Sequence, residues 1–329
     1  MRVSVVIPLY NKAKYITRTL RSVAGQTFED FETIIVDDGS SDGSGELAAE
    51  FPDRRFQVLH QANAGPGAAR NRGIEEARGE VIAFLDADDE WMPEYLESGL
   101  KMLTEFGPEV AAVASGYVIQ PENISSETLW RKRGLRTGVL RVTPGTSCHK
   151  LAHLAAFMAA STTIFRRGTI QRWGGFYVKN SCRYAEDQQL CLKILLNDAV
   201  ALRLEPLVNR DFSASQFGRN FAGPRPVEPF LLDPEDVEQA CPPELMPLLR
   251  RYYARCACKT ATVLGAWGDT QSARSLVRQY VRVNNTNPAF LLMALFACTP
   301  AAHLFGRVIL RSGIASMQRG KPFWRVGWD

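Results

Sequence analysis

Residues 63–89 read NAGPGAARNRGIEEARGEVIAFLDADD: a glycine-rich turn, a helical stretch, an apolar run, then Asp86, Ala87, Asp88 and Asp89. Gly and Pro in the first five positions punctuate the chain, and Ala68–Ala77 beyond them has helical composition. Val81–Leu85 is too short for a helix, and its charged flanks suit a strand buried on both faces. The same alternation recurs on either side. Val3–Ile7 is a β-branched run closed by Pro8, and Tyr15–Ala24 has helical spacing through Ile16, Leu20 and Val23. Phe31–Val36 runs into Asp37, Asp38 and Gly39; Ser44–Phe51 reads as a helix and Gln57–His60 as a short strand. Strands alternating with helices predict an α/β fold, a Rossmann-like, mostly parallel sheet flanked by helices. Ligands bind such sheets outside the carboxyl ends of the strands, so the acidic clusters are expected to face one another there.

Downstream, Pro93–Phe106 and Glu186–Leu196 read as helices, and Val110–Tyr117 and Ala159–Phe165 as strands. The polar stretch 120–150 is expected to be a variable insertion on the acceptor side, and the Pro-rich, acidic stretch near 224–236 a linker. Beyond it the chain reads as helix only. The expected division is a first domain over 1–225, in two parts to about 115 and over 116–225, then a helical region over 226–329.

The chain has 329 residues, 46 % of them hydrophobic and 22 % charged, enough apolar material for one large domain or a domain plus an appendage, which excludes disorder as the default. A net charge of +4 conceals an Asp-rich first third and a basic region after Arg250. Seven cysteines, an odd number without a CxxC pair, argue against a disulfide framework or a zinc site and for a reducing, cytoplasmic setting. Cys256 and Cys258 read as helix-packing residues. The N-terminus has one basic residue before a short strand-like run and is not expected to be a signal peptide. Residues 288–310 are largely apolar, but Pro300, His303 and Arg307 interrupt them, short of the roughly 20 apolar residues a spanning helix needs. An interfacial or buried helix is expected, with Arg307, Arg311, Arg319 and Lys321 able to face anionic lipid.

Asp86 and Asp88, two apart after a strand, can both reach a hard divalent cation such as Mn2+ or Mg2+. Three carboxylates at a strand end repel one another unless something positive lies between them. One of Asp37 and Asp38 is available to accept a hydrogen bond from a nucleobase N–H or ribose hydroxyl, while Asp42 reads as the N-cap of the next helix. Glu186 and Asp187 open a helix, where acidic residues complement the dipole; a carboxylate so placed can also take a proton from a hydroxyl nucleophile. His60, His149, His153 and His303 are scattered and read as structural.

The segments SVVIPLYNKAKYI, VDDGSSDGS and NAGPGAARNRGIEEARGEVIAFLDADD, with the later YAEDQQL, resemble the motif series of the family 2 glycosyltransferases, over about the first 215 residues. The resemblance implies a GT-A fold and an inverting transfer of sugar from a nucleotide sugar, commonly a UDP-sugar, to an acceptor hydroxyl, in cell-surface polysaccharide or glycan synthesis. It implies that Pro8 and Tyr10 pack around the base and Asp38 recognises it. Asn63 and Arg70 would lie near the nucleotide, Arg70 also within reach of the diphosphate. Asp86 and Asp88 would hold donor and metal, Asp187 would be the catalytic base, and Glu186 would orient the acceptor or that base. The expected partners are a nucleotide-sugar donor and a glycan or lipid-linked acceptor, with no nucleic acid. Contact with the inner face of the plasma membrane through 288–325 and a homo-oligomer are both compatible with the sequence. VNRDFSAS departs from the family pattern: Arg210 fits, but no His comes after it, so either Asp211 takes the third metal-facing position or the metal keeps more water ligands.

Other classes fit less well. A phospho-receiver domain needs its acidic pair after the first strand, and here that strand ends in Pro-Leu-Tyr-Asn. A sugar-phosphate nucleotidyltransferase needs a Gly-rich basic loop in the same place, and none stands between Pro8 and Tyr15. A degenerate transferase that binds nucleotide sugar only as a scaffold is the alternative that the sequence leaves open.

Overall fold

The computed structural model describes residues 1–213, 226–282, 286 and 288–303. The elements are β1 Val3–Leu9, α1 Ile16–Ala24, β2 Phe31–Asp37, α2 Ser44–Ala49, β3 Phe56–His60, α3 Pro66–Glu76, β4 Val81–Phe84 and β5 Glu90–Trp91. Next come α4 Tyr95–Glu105, β6 Val110–Gln120, β7 Ile124–Ser125, α5 Glu127–Lys132, β8 Gly138–Leu140, α6 Cys148–Phe157, β9 Thr163–Arg166 and α7 Arg167–Trp173. The series ends with α8 Glu186–Asn197, β10 Ala199–Asp211, α9 Pro229–Leu232, α10 Glu235–Ala240, α11 Met246–Ala266, α12 Thr270–Tyr280 and α13 Pro288–Ala297. The described residues divide into two compact units, the first of 1–213 and 228–246, the second of 226–227 and those from Pro247 on.

In the first unit the sheet runs β3-β2-β1-β4-β9-β6-β10-β5, with β7 on β6 and β8 on β10. Strands β3, β2, β1 and β4 are mutually parallel, whereas β9 is antiparallel to both β4 and β6. This is the mixed, mostly parallel α/β sheet expected. The reason lies in composition: Val3, Val5, Val6 and Ile7 of β1, Ile34–Val36 of β2 and Val81–Phe84 of β4 are wholly buried. Each Val, Ile or Phe side chain among them contributes about 1.5–3 kcal/mol on leaving water. Ile16, Leu20 and Val23 form the buried face of α1. Because Leu9 is level with Asp37 and Val6 with Phe84, the carboxyl ends of β1, β2 and β4 lie at one edge of the sheet.

Helix α3 lies so close to β1 that a Cβ on Gly73 would sit 2.3 Å from Val6 Cγ1. Gly73 therefore sets the depth of the helix that carries Arg70.

Residues 120–150 hold β7, α5, β8 and the start of α6. Their anchors are Trp130 and Leu135, both buried, with Trp130 set edge-on to Phe157 at 5.4 Å. The stretch near 224–236 is no linker over its described residues 226–236: α9 and α10 bury Phe230, Leu231 and Val237, and Asp236 accepts from Gln189 and Lys193 of α8. Residues 214–225 lie outside the described residues.

In the second unit, α11–α13 are helical, with Leu248, Leu249, Tyr252, Tyr253, Ala257, Cys258 and Ala261 buried on α11. Cys258 is buried and Cys256 half-buried on that helix. No helix among the described residues is long and apolar enough to cross a membrane. Arg307, Arg311, Arg319 and Lys321 lie outside the described residues.

Gly73→Ala should destabilise the fold by about 1–3 kcal/mol despite alanine's better helix propensity. Combining it with Val6→Ala should recover part of that loss. Urea unfolding of the two single variants and the double variant measures the coupling; additive losses would contradict the close approach.

Candidate active site

Asp38 stands directly after β2 and is 2 % exposed. Its Oδ1 accepts from Gln61 Nε2 at 2.7 Å and from the Ala64 N–H at 2.8 Å, and its Oδ2 accepts from the Gly65 N–H at 2.8 Å. It thereby fastens the glycine-rich turn to the sheet edge. Asn63 Nδ2 donates to the Asp38 carbonyl at 2.9 Å, while its Oδ1 accepts from Arg183 at 2.7 Å. Pro8 lies in β1 and Tyr10 just after it, both half-buried, and Asp38 N–H donates to Leu9 O at 2.8 Å. Pro8, Tyr10, Asp38 and Asn63 thus lie at adjoining strand ends. Asp42 is not the expected cap. Gly43 takes the N-cap position of α2, and Asp42 instead accepts from Ser44 and from the Ala13 N–H.

Beside this region lies a cluster of charges. Arg70 is 4 % exposed and forks between two carboxylates: Nη2 meets Asp86 Oδ1 at 2.5 Å, and Nη1 meets Glu186. Each terminal nitrogen carries a second N–H, so a phosphate oxygen remains within its chemistry. Phe176 covers the guanidinium, 5.2 Å from its ring centroid. Gly67 permits the approach of Glu186, since a Cβ there would meet Tyr177 O at 2.6 Å and Glu186 Cγ at 3.3 Å. Asp187 Oδ2 accepts from the Ala160 N–H at 3.2 Å. Ala185, directly before this pair, is held left-handed at φ 56°.

The carboxylates respond differently. Burial pushes Asp187 up to about 6, reinforced by Glu186 and opposed by Arg70. Burial pushes Asp89 up to about 7 against the pull of Arg210, which lies 3.6 Å away. Asp88 is also raised by burial, although Lys12 lies 2.6 Å from its Oδ2. At Asp86 burial is outweighed by Arg70 and Arg210, and the carboxyl is lowered. Among the described residues, the cluster's Asp86, Asp88, Asp89, Glu186 and Asp187 outnumber Arg70, Arg210 and Lys12 by two.

Carboxylates in excess suit a divalent cation. Among the described residues no three His, Cys, Asp or Glu side chains group to hold one, and Asp211 directs its carboxylate to Arg18 at 2.8 Å and to Ser213. A cation held by the two carboxylates Asp86 and Asp88, with water and phosphate oxygens completing its shell, is the usual habit of Mg2+. The donor set therefore fits such an ion.

The structure thus gathers Arg70, Asp86, Asp88, Glu186 and Asp187, all expected from sequence. It adds Lys12, Gln61, Asp89 and Ser161, whose Oγ accepts from the Asp86 N–H at 3.1 Å. Lys12 was open to detection as a basic residue shortly after β1, on the edge where the acids collect. Ser161 had no sequence signal.

Residues 4–165 match the sequence profile of Glycosyl transferase family 2. EpsH of Bacillus subtilis is 46 % identical over 123 residues, 37 % of this chain and 35 % of that one. YibD of Escherichia coli, an uncharacterized glycosyltransferase, is 30 % identical over 229 residues, 64 % of this chain and 66 % of that one. The chain spans about a third of the length of EpsH and just under two thirds of YibD. In fold it is similar to Staphylococcus aureus TarS 1-349 in complex with UDP-GlcNAc, at TM-score 0.69 and 20 % identity, covering 98 % of this chain and 93 % of that one. It is also similar to the mannosyltransferase PcManGT of Pyrobaculum calidifontis in complex with GDP-Man and Mn2+, at TM-score 0.50 and 20 % identity, covering 98 % of this chain and 81 % of that one. Residues 4–165 are thus a family 2 glycosyltransferase domain, and the fold of the chain is of the GT-A type.

Arg70→Met should lower the unfolding free energy by about 3–5 kcal/mol at pH 8, because it strands buried carboxylates. The loss should shrink at pH 5, where Asp86, deprived of the guanidinium that lowers it, can take up a proton. Denaturant unfolding at both pH values checks this; equal losses would argue against buried charge as the cause.

Proposed function

We propose that this chain is an inverting glycosyltransferase that moves a sugar from a nucleotide sugar, a UDP-sugar, to an acceptor hydroxyl of a cell-surface polysaccharide or lipid-linked glycan. The observation that carries the reading is the Asp187 carboxyl, raised to about 6 and braced beside Arg70, Glu186 and Asp86. A base poised near neutral pH removes a hydroxyl proton most effectively.

In this reading Asp187 takes the acceptor proton as the acceptor oxygen bonds to the anomeric carbon, and the bond from that carbon to the diphosphate oxygen breaks on the opposite face. In-line attack of this kind inverts the centre. Glu186, fixed by Arg70, orients the acceptor or Asp187. Asp38 Oδ2 has a further lone pair to offer a nucleobase N–H or ribose hydroxyl, with Pro8, Tyr10 and Asn63 around the nucleoside. Arg70 meets the diphosphate. A divalent cation held by Asp86 and Asp88 would neutralise charge on the diphosphate leaving group. The UDP-GlcNAc of the TarS complex supports a UDP donor, and the Mn2+ of the PcManGT complex supports the cation.

The reading includes a cytoplasmic enzyme that touches the inner face of the plasma membrane through residues 288–325. Its support is the exposure of Leu292, Met293, Leu295 and Phe296 on α13; residues 304–325 lie outside the described residues.

Asp187→Asn should lower kcat by about 10²–10⁴, the usual worth of a general base, and leave UDP affinity within about twofold. The wild-type kcat should rise with pH through about 6 as Asp187 ionises under Glu186, Arg70 and Asp86. Linkage has the opposite sign. A carboxyl raised from 3.8 to about 6 on folding contributes stability that is lost as pH rises through that window, so Asp187→Asn should be the more stable protein at pH 7. Initial rates, UDP calorimetry and thermal melts test all three. Equal loss of turnover and UDP binding would remove the assigned role, and UDP binding without release from any UDP-sugar would leave a scaffold.

A further inference from the structure

Lys12 lies outside the set that sequence assigned, yet its placement is elaborate. Asn11 is left-handed at φ 49°, its N–H donates to Ser40 Oγ at 3.1 Å, and its Oδ1 accepts from the Ser41 N–H at 2.8 Å. Lys12 N–H donates to Ser44 Oγ at 3.4 Å, and Ala13 N–H to Asp42 Oδ2 at 2.9 Å. The loop after β1 is thus stitched to the turn after β2. From this fixed base the ammonium crosses the strand ends to Asp88 Oδ2, 2.6 Å away and 76 residues on in sequence. The two side chains are 19 % and 11 % exposed, so the pair is largely withdrawn from water.

Asp88 is the carboxylate that the proposed function assigns to the divalent cation, and the role of Lys12 derived from it rests on that reading. An ammonium at hydrogen-bond distance and a dication compete for the same carboxylate. The ammonium is a point charge on a flexible stem with donors that can be redirected, unlike a guanidinium locked in a planar fork. A diphosphate brings more negative charge than one dication cancels, and lysine is a common phosphate partner.

We propose that Lys12 is the resident counter-ion of the cation site: it holds Asp88 paired and aimed while no nucleotide is bound, yields that carboxylate to the cation, and turns to the diphosphate. Lys12 is then a residue that makes cation and nucleotide enter together. Without nucleotide, the cation must displace the ammonium from Asp88 with no phosphate to receive it. With nucleotide, the displaced ammonium finds a phosphate oxygen. The coupling is reciprocal, as binding linkage requires.

The test is Mn2+ uptake, measured by the loss of the free-ion paramagnetic resonance signal, for wild type, Lys12→Met and Lys12→Arg, with thermal melts as a folding control. In the absence of nucleotide, Lys12→Met should take Mn2+ about tenfold more tightly than wild type, and Lys12→Arg should not, because removing one partner of a largely buried pair exposes the other to a new one. At saturating Mn2+ the order should reverse, with UDP bound more weakly by Lys12→Met than by wild type. If Lys12→Met does not fold, Lys12→Gln replaces it with the same expectation. Equal Mn2+ affinity in wild type and the neutral variants, in a protein that binds UDP with Mn2+, overturns the role of Lys12 and leaves the cation site standing. A wild type that takes no Mn2+ even with UDP overturns the site itself.

Discussion

A carboxylate withdrawn from water is costly unless a positive group or hydrogen-bond donors accompany it, and the edge of this sheet gathers several. The fork of Arg70 between Asp86 and Glu186 makes the arrangement tolerable, because one cation ties the end of β4 to the start of α8. The rest of the first unit serves that contact. Gly73 lets α3 sink onto β1, Gly67 lets Glu186 approach α3, and Phe176 covers the guanidinium. The brace is incomplete, since Asp187, Asp89 and Asp88 are all displaced upward by burial.

The α/β character of the fold was legible because β1, β2 and β4 are continuous β-branched runs, buried on both faces, and such runs need little context to be recognised. The order in which strands pair was less so. That β9 runs antiparallel between β4 and β6 is a matter of non-local pairing, and nothing in Thr163–Arg166 announces it. Residues 120–150 read as an insertion and 224–236 as a linker because their apolar anchors stand among polar, proline-rich or acidic residues. Trp130 acquires its partner Phe157 only when the chain folds back, and Phe230 and Leu231 are flanked by Pro229, Asp233 and Pro234.

Asp38, Asp86, Asp88 and Asp187 were visible because each lies at a strand end or a helix start, where geometry converts sequence position into a place on one sheet edge. Glu186 was visible beside Asp187, but its tie to Arg70 was not, because helical spacing does not say which carboxylate an arginine will reach across the fold. Asp42 shows the converse. It stands where a cap is expected, yet it secures the neighbouring loop through Ala13.

That the acidic edge receives a cation and a diphosphate together is open to calorimetric titration of UDP into the wild-type chain and Asp88→Asn, with and without Mn2+. Mn2+ should strengthen UDP binding to wild type by at least about tenfold, and Asp88→Asn should lose this gain while still folding. UDP affinity indifferent both to Mn2+ and to Asp88 would contradict joint binding at that edge.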